Sequence, residues 1–195
     1  MSTRNLVMAA LMMAIIAALG LVKISFPLFN EVPITGQTLG IMLAGALLGA
    51  RLGGLSVAAF VALAAVGVPL LAGGRGGIGV FASASGGWVL SWPLAAYLIG
   101  YMVEKSWYSL RTWKVILFNI LGGIVVVYVI GMAYQAALTG VPFYTVAIKS
   151  MIFLPGDLLK AAVAAVIAVR LRYAYPLIQV AAPSDRFSEQ RGQTL

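Results

Sequence analysis

The chain has 195 residues, is 62% hydrophobic and carries only 9% charged side chains, too few to coat a soluble globule. It contains no cysteine and no histidine, which excludes disulfides, thiolate metal sites and the usual general base. The basic residues behind its net charge of +8 lie singly between apolar runs, a pattern that orients a protein in a bilayer rather than gripping nucleic acid.

Apolar runs and their breakers predict an all-α membrane protein, a bundle of six transmembrane helices. The first covers about residues 6–24. Arg4 ahead of it resembles the start of a signal peptide, but the run from Leu6 to Val22 is long and no small-x-small cleavage site follows, so it reads as a helix. "FPLFNEVP" stops it. A short glycine-rich second span, about 36–50, ends at Arg51 and "GG", and a third runs over about 52–71. "AGGRGGIGVFASASGG", residues 72–87, reads as a flexible loop before a fourth span at about 88–103. "EKSWYSLRTWK" is a polar turn, a fifth span covers about 115–138, and the last helix begins near Pro155 and ends at 170–173. Residues 1–180 form one domain in this reading, and 181–195 a polar, disordered tail.

Both termini are expected in the cytoplasm. That orientation puts nine of the thirteen Lys and Arg residues inside and leaves Lys23, Arg75, Lys149 and Lys160 for the outer side and the membrane. Loops 25–35, 72–87 and 139–154 then face outward. Small residues recur at four-residue intervals at Ala10, Ala14 and Ala18, and again at Gly36, Gly40 and Ala44. Such rows let helices approach closely in lipid, and internal packing accounts for them.

Three outward stretches carry chemistry. In "LPGDLLK", Pro155 suits the first helical position, Asp157 falls in the first turn where the helix dipole favours an acid, and Lys160 lies on the same face. A central Asp or Lys costs about 2.5–3.5 kcal/mol on insertion scales, so the pair needs a reason. It is either a salt bridge that pins the helix end or the polar floor of a solute pocket. In "AGGRGGIG", the glycines Gly73, Gly74 and Gly76 permit close backbone approach and Arg75 offers a cation for a carboxylate; the loop is a lid or simply slack chain. A dinucleotide reading of its G-x-G-x-x-G spacing fails for want of a preceding strand, and no G-x-x-x-x-G-K-[ST] gives the chain an ATP site. In "EVPITGQT", Thr35 and Gln37 are hydrogen-bonding groups at the depth of Asp157, and Thr35 equally suits a helix cap.

Together "VPITGQTLGIMLAGALLGARLG", "AGGRGGIGVFASASGGWVLSWPLAAYLIG" and "FLPGDLLKA" resemble the BioY family, the biotin-binding S components of energy-coupling factor (ECF) vitamin transporters. The likeness runs in order from about residue 30 to 162. It implies a multi-pass protein of the bacterial cytoplasmic membrane that captures biotin from outside. It also implies partners: a transmembrane coupling protein and ATP-binding subunits. No catalytic residue, metal or cofactor is implied, biotin being cargo. The family's acid and base fall on Asp157 and Lys160, its glycine-rich loop on residues 73–77, and its "P-x-T-x-Q-T" on Pro33, Thr35, Gln37 and Thr38. Where relatives often read "GPTGGY" this chain reads "SASGGW", which makes Trp88 the candidate ring on the loop side. S components resemble one another in an A-x-x-x-A pattern that contacts the coupling subunit, matched best by Ala10 and Ala14. Two rival readings stand beside this one: a proton-coupled carrier using Asp157 as relay, and an intramembrane enzyme, for which the chain lacks His, Cys and a credible dyad.

Overall fold

A computed structural model describes residues 2–21, 23–24 and 33–174. The expected tail at 181–195 and residues 25–32 of the loop expected at 25–35 lie outside the described residues. Helix α1 (Thr3–Leu21) leads to a two-residue strand β1 (Lys23–Ile24), paired antiparallel with β2 (Ile34–Thr35). Then come α2 (Gln37–Ala65), the short α3 (Ile78–Phe81) and α4 (Gly86–Leu90), and α5 (Trp92–Lys105). Helix α6 (Thr112–Asn119) continues through a wide π turn (Ile120–Val126) into α7 (Val127–Thr139). After α8 (Phe143–Ser150) and a 3-10 turn (Met151–Phe153), α9 (Leu154–Ala174) closes the bundle. Among the described residues, five helical stretches are long and apolar enough to cross a membrane: 3–21, 37–65, 86–105, 112–139 and 143–174.

Helix α2 is not one straight rod. Gly49 sits at φ 79°, ψ −176°, a conformation open in practice only to glycine. Beyond it the chain doubles back. A Cβ on Gly53 would stand 2.5 Å from the Ala44 carbonyl oxygen, whereas nine residues of straight helix would span about 13 Å. The two arms therefore lie side by side. The Ala50 N–H that begins the second arm donates to Glu104 Oε1 of α5 at 2.8 Å, so an acid on one helix caps the restart of another. The break falls at Gly49 rather than at the expected Arg51 because Glu104 and Gly100 of α5 meet the chain there, with no room for a side chain at either glycine. The second arm ends at Ala65, short of the expected 71, with Val66 N–H bonded back to Ala62.

Other expectations shift in the same way. The stretch expected as a flexible loop at 72–87 contains α3 and the start of α4, and the loop expected to face outward at 139–154 contains α8. The last helix begins at Leu154, one residue from its expected start. Helix α1 buries Ala9, Met12, Ile16 and Gly20 against α2; Ile16 packs on Gly40, and the Ala9 carbonyl accepts a bond from the Ser56 hydroxyl at 3.0 Å. Ala10, Ala14 and Ala18 lie on the exposed side of α1, so internal packing does not account for that row. The core runs through Met42, Phe60, Ile99, Val115 and Ala161, all at or near zero exposure.

Candidate functional site

The polar residues converge at one end of the bundle, where β2, the start of α2, α4, α7 and the start of α9 meet. Asp157, in the first turn of α9, is buried at 6% exposure. Its Oδ1 accepts from Lys160 Nζ at 2.9 Å and from Thr38 Oγ1 at 3.2 Å, and Lys160 also donates to Thr38 Oγ1 at 3.1 Å. Its Oδ2 accepts from the Tyr128 hydroxyl at 2.8 Å. Both carboxylate oxygens are thus satisfied by side chains from three helices. An unpaired buried charge would be costly, and this network removes that cost while keeping the charges.

The network opens on a cavity of about 60 Å³ walled by Thr35, Trp88, Trp92, Val127 and Phe153 as well as by the network itself. A second cavity of about 40 Å³ is walled by Gln37, Arg75, Val80 and Ser85, and shares Pro33, Thr35, Trp88 and Trp92 with the first. Trp88 is held from several sides. Its indole N–H donates to Gln135 Oε1 at 3.2 Å, and its ring meets Tyr128 edge-on at 5.2 Å and Phe153 at 6.0 Å. Behind it lies Gly131, where any Cβ would overlap the ring. One position earlier, Gly87 gives the same clearance to Tyr134, whose hydroxyl bonds the Phe81 carbonyl at 2.5 Å. These paired glycines let α4 and α7 interlock.

Of the residues singled out from the sequence, Asp157, Lys160, Thr35, Thr38 and Trp88 line the first cavity. Thr35 does both things open to it: it walls the cavity, and its hydroxyl accepts the Gln37 N–H at 3.2 Å at the start of α2. Gln37 is 1% exposed and spends its amide N–H on the Leu70 carbonyl at 3.0 Å, tying the loop after α2 to the helix start. Arg75 reaches the second cavity, not the one that holds Lys160, and its Nε donates to the Ala72 carbonyl at 3.2 Å. Gly73, Gly74 and Gly76 are not in the walls of these two cavities. They shape the loop instead: Gly73 and Gly74 have φ of 68° and 75°, and the Gly73 N–H bonds the Gly20 carbonyl at 3.1 Å, anchoring the loop to α1. Sequence reasoning missed Tyr128, Phe153 and Gln135. Tyr128 and Gln135 carried a signal, since each is a polar atom inside an apolar run and must find a partner there.

Residues 1–177 match the BioY family over nearly the whole chain. The chain belongs to the BioY family. The biotin transporter BioY of Rhizobium etli is 43% identical over 183 residues, covering 91% of this chain and 98% of that protein. The probable biotin transporter BioY of Bacillus subtilis is 39% identical over 168 residues, covering 86% and 90%. A crystal structure of the S-component for biotin from an ECF-type ABC transporter superposes with a TM-score of 0.83 at 36% identity, covering 89% of this chain and 95% of that one.

Proposed function

We propose that this protein captures biotin at the Asp157 end of the bundle and passes it inward in concert with an ATP-driven ECF module. The observation that carries the reading is the network of buried Asp157 and Tyr128 with partly buried Lys160 and Thr38, opening on an aromatic cavity, in a chain of the BioY family. The chemistry is complementary. Biotin's ureido ring offers two N–H donors and a carbonyl, which an adjacent carboxylate, ammonium and hydroxyls can match. Its thiophane ring and aliphatic chain suit Trp88, Trp92 and Phe153, and its carboxylate calls for a cation, Arg75 or Lys160. The loop of Gly73, Gly74, Arg75 and Gly76 serves as a cover over the second cavity, which Arg75 enters from it.

In this reading the two arms of α2 each cross the membrane, giving six crossings, with both termini on the cytoplasmic side of a bacterial cell membrane. The exposed row at Ala10 and Ala14 then docks the transmembrane coupling protein, whose ATP-binding subunits supply the energy. The protein purified in detergent should release biotin detectable by mass spectrometry and rebind it on titration; failure to bind added biotin would overturn the assignment. Ala14→Trp should leave biotin binding intact while abolishing co-purification with the coupling protein. If binding and assembly fall together the docking face is wrong, and if neither changes it lies elsewhere.

A further inference from the structure

The two cavities are each far smaller than the roughly 300 Å³ at the lower end of small-molecule sites, yet they share four wall residues. A ligand with a bicyclic head and a chain needs them as one space, so the shared residues form the partition between them. Trp92 is fixed in the core against Phe60, at 6.3 Å between ring centroids, and Pro33 and Thr35 belong to the β2 segment. Trp88 differs. Its pose is set from one face of α7, by Tyr128, Gly131 and Gln135, spaced at i, i+3 and i+7.

We propose that Gly131 and Gln135 are positioning residues that set the pose of the Trp88 ring, and that this pose determines the passage between the two cavities and hence the ligand length accepted. The proposal rests on the biotin reading above. Gly131 gives the ring its depth: a methyl group there would drive the indole toward the cavity, since Phe153 and Tyr128 close its other sides. Gln135 gives the ring its rotation, because a buried indole N–H must keep an acceptor. Tyr128 touches the same ring while its hydroxyl holds Asp157, so the aromatic partition and the acid–base pair share one side chain.

The test uses the full chain labelled with 5-fluorotryptophan, which has four resonances, that of position 88 being assigned by its loss in Trp88→Phe. Without ligand, Gly131→Ala and Gln135→Leu should each shift the Trp88 resonance and leave Trp107 and Trp113, near the other end, unmoved; the unmoved signals also certify the fold. With ligand, Gly131→Ala should weaken biotin binding at least tenfold in the parent protein, and by much less when it is made in a Trp88→Phe background, with the affinity of Trp88→Phe alone as the reference. The affinity ratio between biotin and a homologue with a shorter chain should change in Gly131→Ala, which a general loss of stability would not do. A Trp88 resonance unmoved by both variants, or a Gly131→Ala binding loss just as large in the Trp88→Phe background, overturns the proposal. If the parent protein binds no biotin, the functional reading fails, while the resonance measurement still decides whether Gly131 and Gln135 set the ring.

Discussion

Asp157 and Glu104 are both carboxylates drawn in among apolar helices, and they stand at opposite ends of the bundle. From Asp157 the helix α9 runs about 22 Å to Arg172, which packs on Trp107 and bonds its carbonyl, just beyond Glu104. Each acid borders a cavity, Asp157 the aromatic one and Glu104 an open cleft that also holds Arg4 and Arg51. Lining a cavity therefore does not separate them; the identity of their partners does. Asp157 is held by side chains alone, Lys160, Thr38 and Tyr128, all of which can exchange partners when a solute arrives. Glu104 is bonded to a backbone N–H, that of Ala50, at the point where the chain turns back on itself. On the proposed function, the acid held by side chains is the one that meets the solute, and the acid bonded to the backbone is part of the frame.

Three substitutions bear on that contrast. Asp157→Asn, which strands Lys160, should cost biotin binding about 2–5 kcal/mol, a rise in Kd of 30-fold or more, and should lower the melting temperature as well. A substitution on the exposed side of α9, Val163→Ala, is the control, and equal affinities in the two variants by calorimetric titration would remove Asp157 from the site. Gly49→Ala should lower stability and spare binding. It forces an alanine into a glycine-only conformation at about 1–3 kcal/mol and presses a methyl group onto Glu104, so melting falls while the folded fraction binds normally. Glu104→Gln should have the smallest effect, since the amide oxygen still accepts the Ala50 N–H and only the charge at the helix start is lost, about 0.3–1 kcal/mol. Thermal melting and titration side by side check both frame variants; a large fall in biotin affinity in Glu104→Gln would break the distinction between the two acids.

The sequence made one acid legible and left the other opaque, for a physical reason. Asp157 and Lys160 interrupt an apolar run at helical spacing, and burying them without purpose is too costly to ignore. Glu104 sits at the edge of a polar turn, where an acid needs no explanation, and its partner lies 54 residues away. The break in α2 shows the same limit. Arg51 and the "GG" after it marked an expected end of the second span, but contact with α5 chose Gly49. Tyr128 reads as one more core ring until Asp157 is brought to it from 29 residues away, and Gly131 matters only because Trp88 needs its space. Short helices such as α3 and α8, of four and eight residues, are below the length at which periodicity separates helix from loop.

The wide turn at Ile120–Val126 has a consequence for how the chain tolerates changes in length. A π turn accommodates an extra residue by bulging locally, so the helix on either side keeps its rotational phase. Deleting one residue there, at the outward-facing Leu121 or Val125, would let α6 and α7 join in plain α geometry with Tyr128, Gly131 and Gln135 still aimed at α9 and α4. The same deletion between Tyr128 and Gly131 would swing Gly131 and Gln135 by about 100° relative to Tyr128 and uncouple Trp88 from the acid. The bulge is thus a register buffer, the place in the 112–139 span where the chain can lose a residue without turning the cavity-facing side of α7 away.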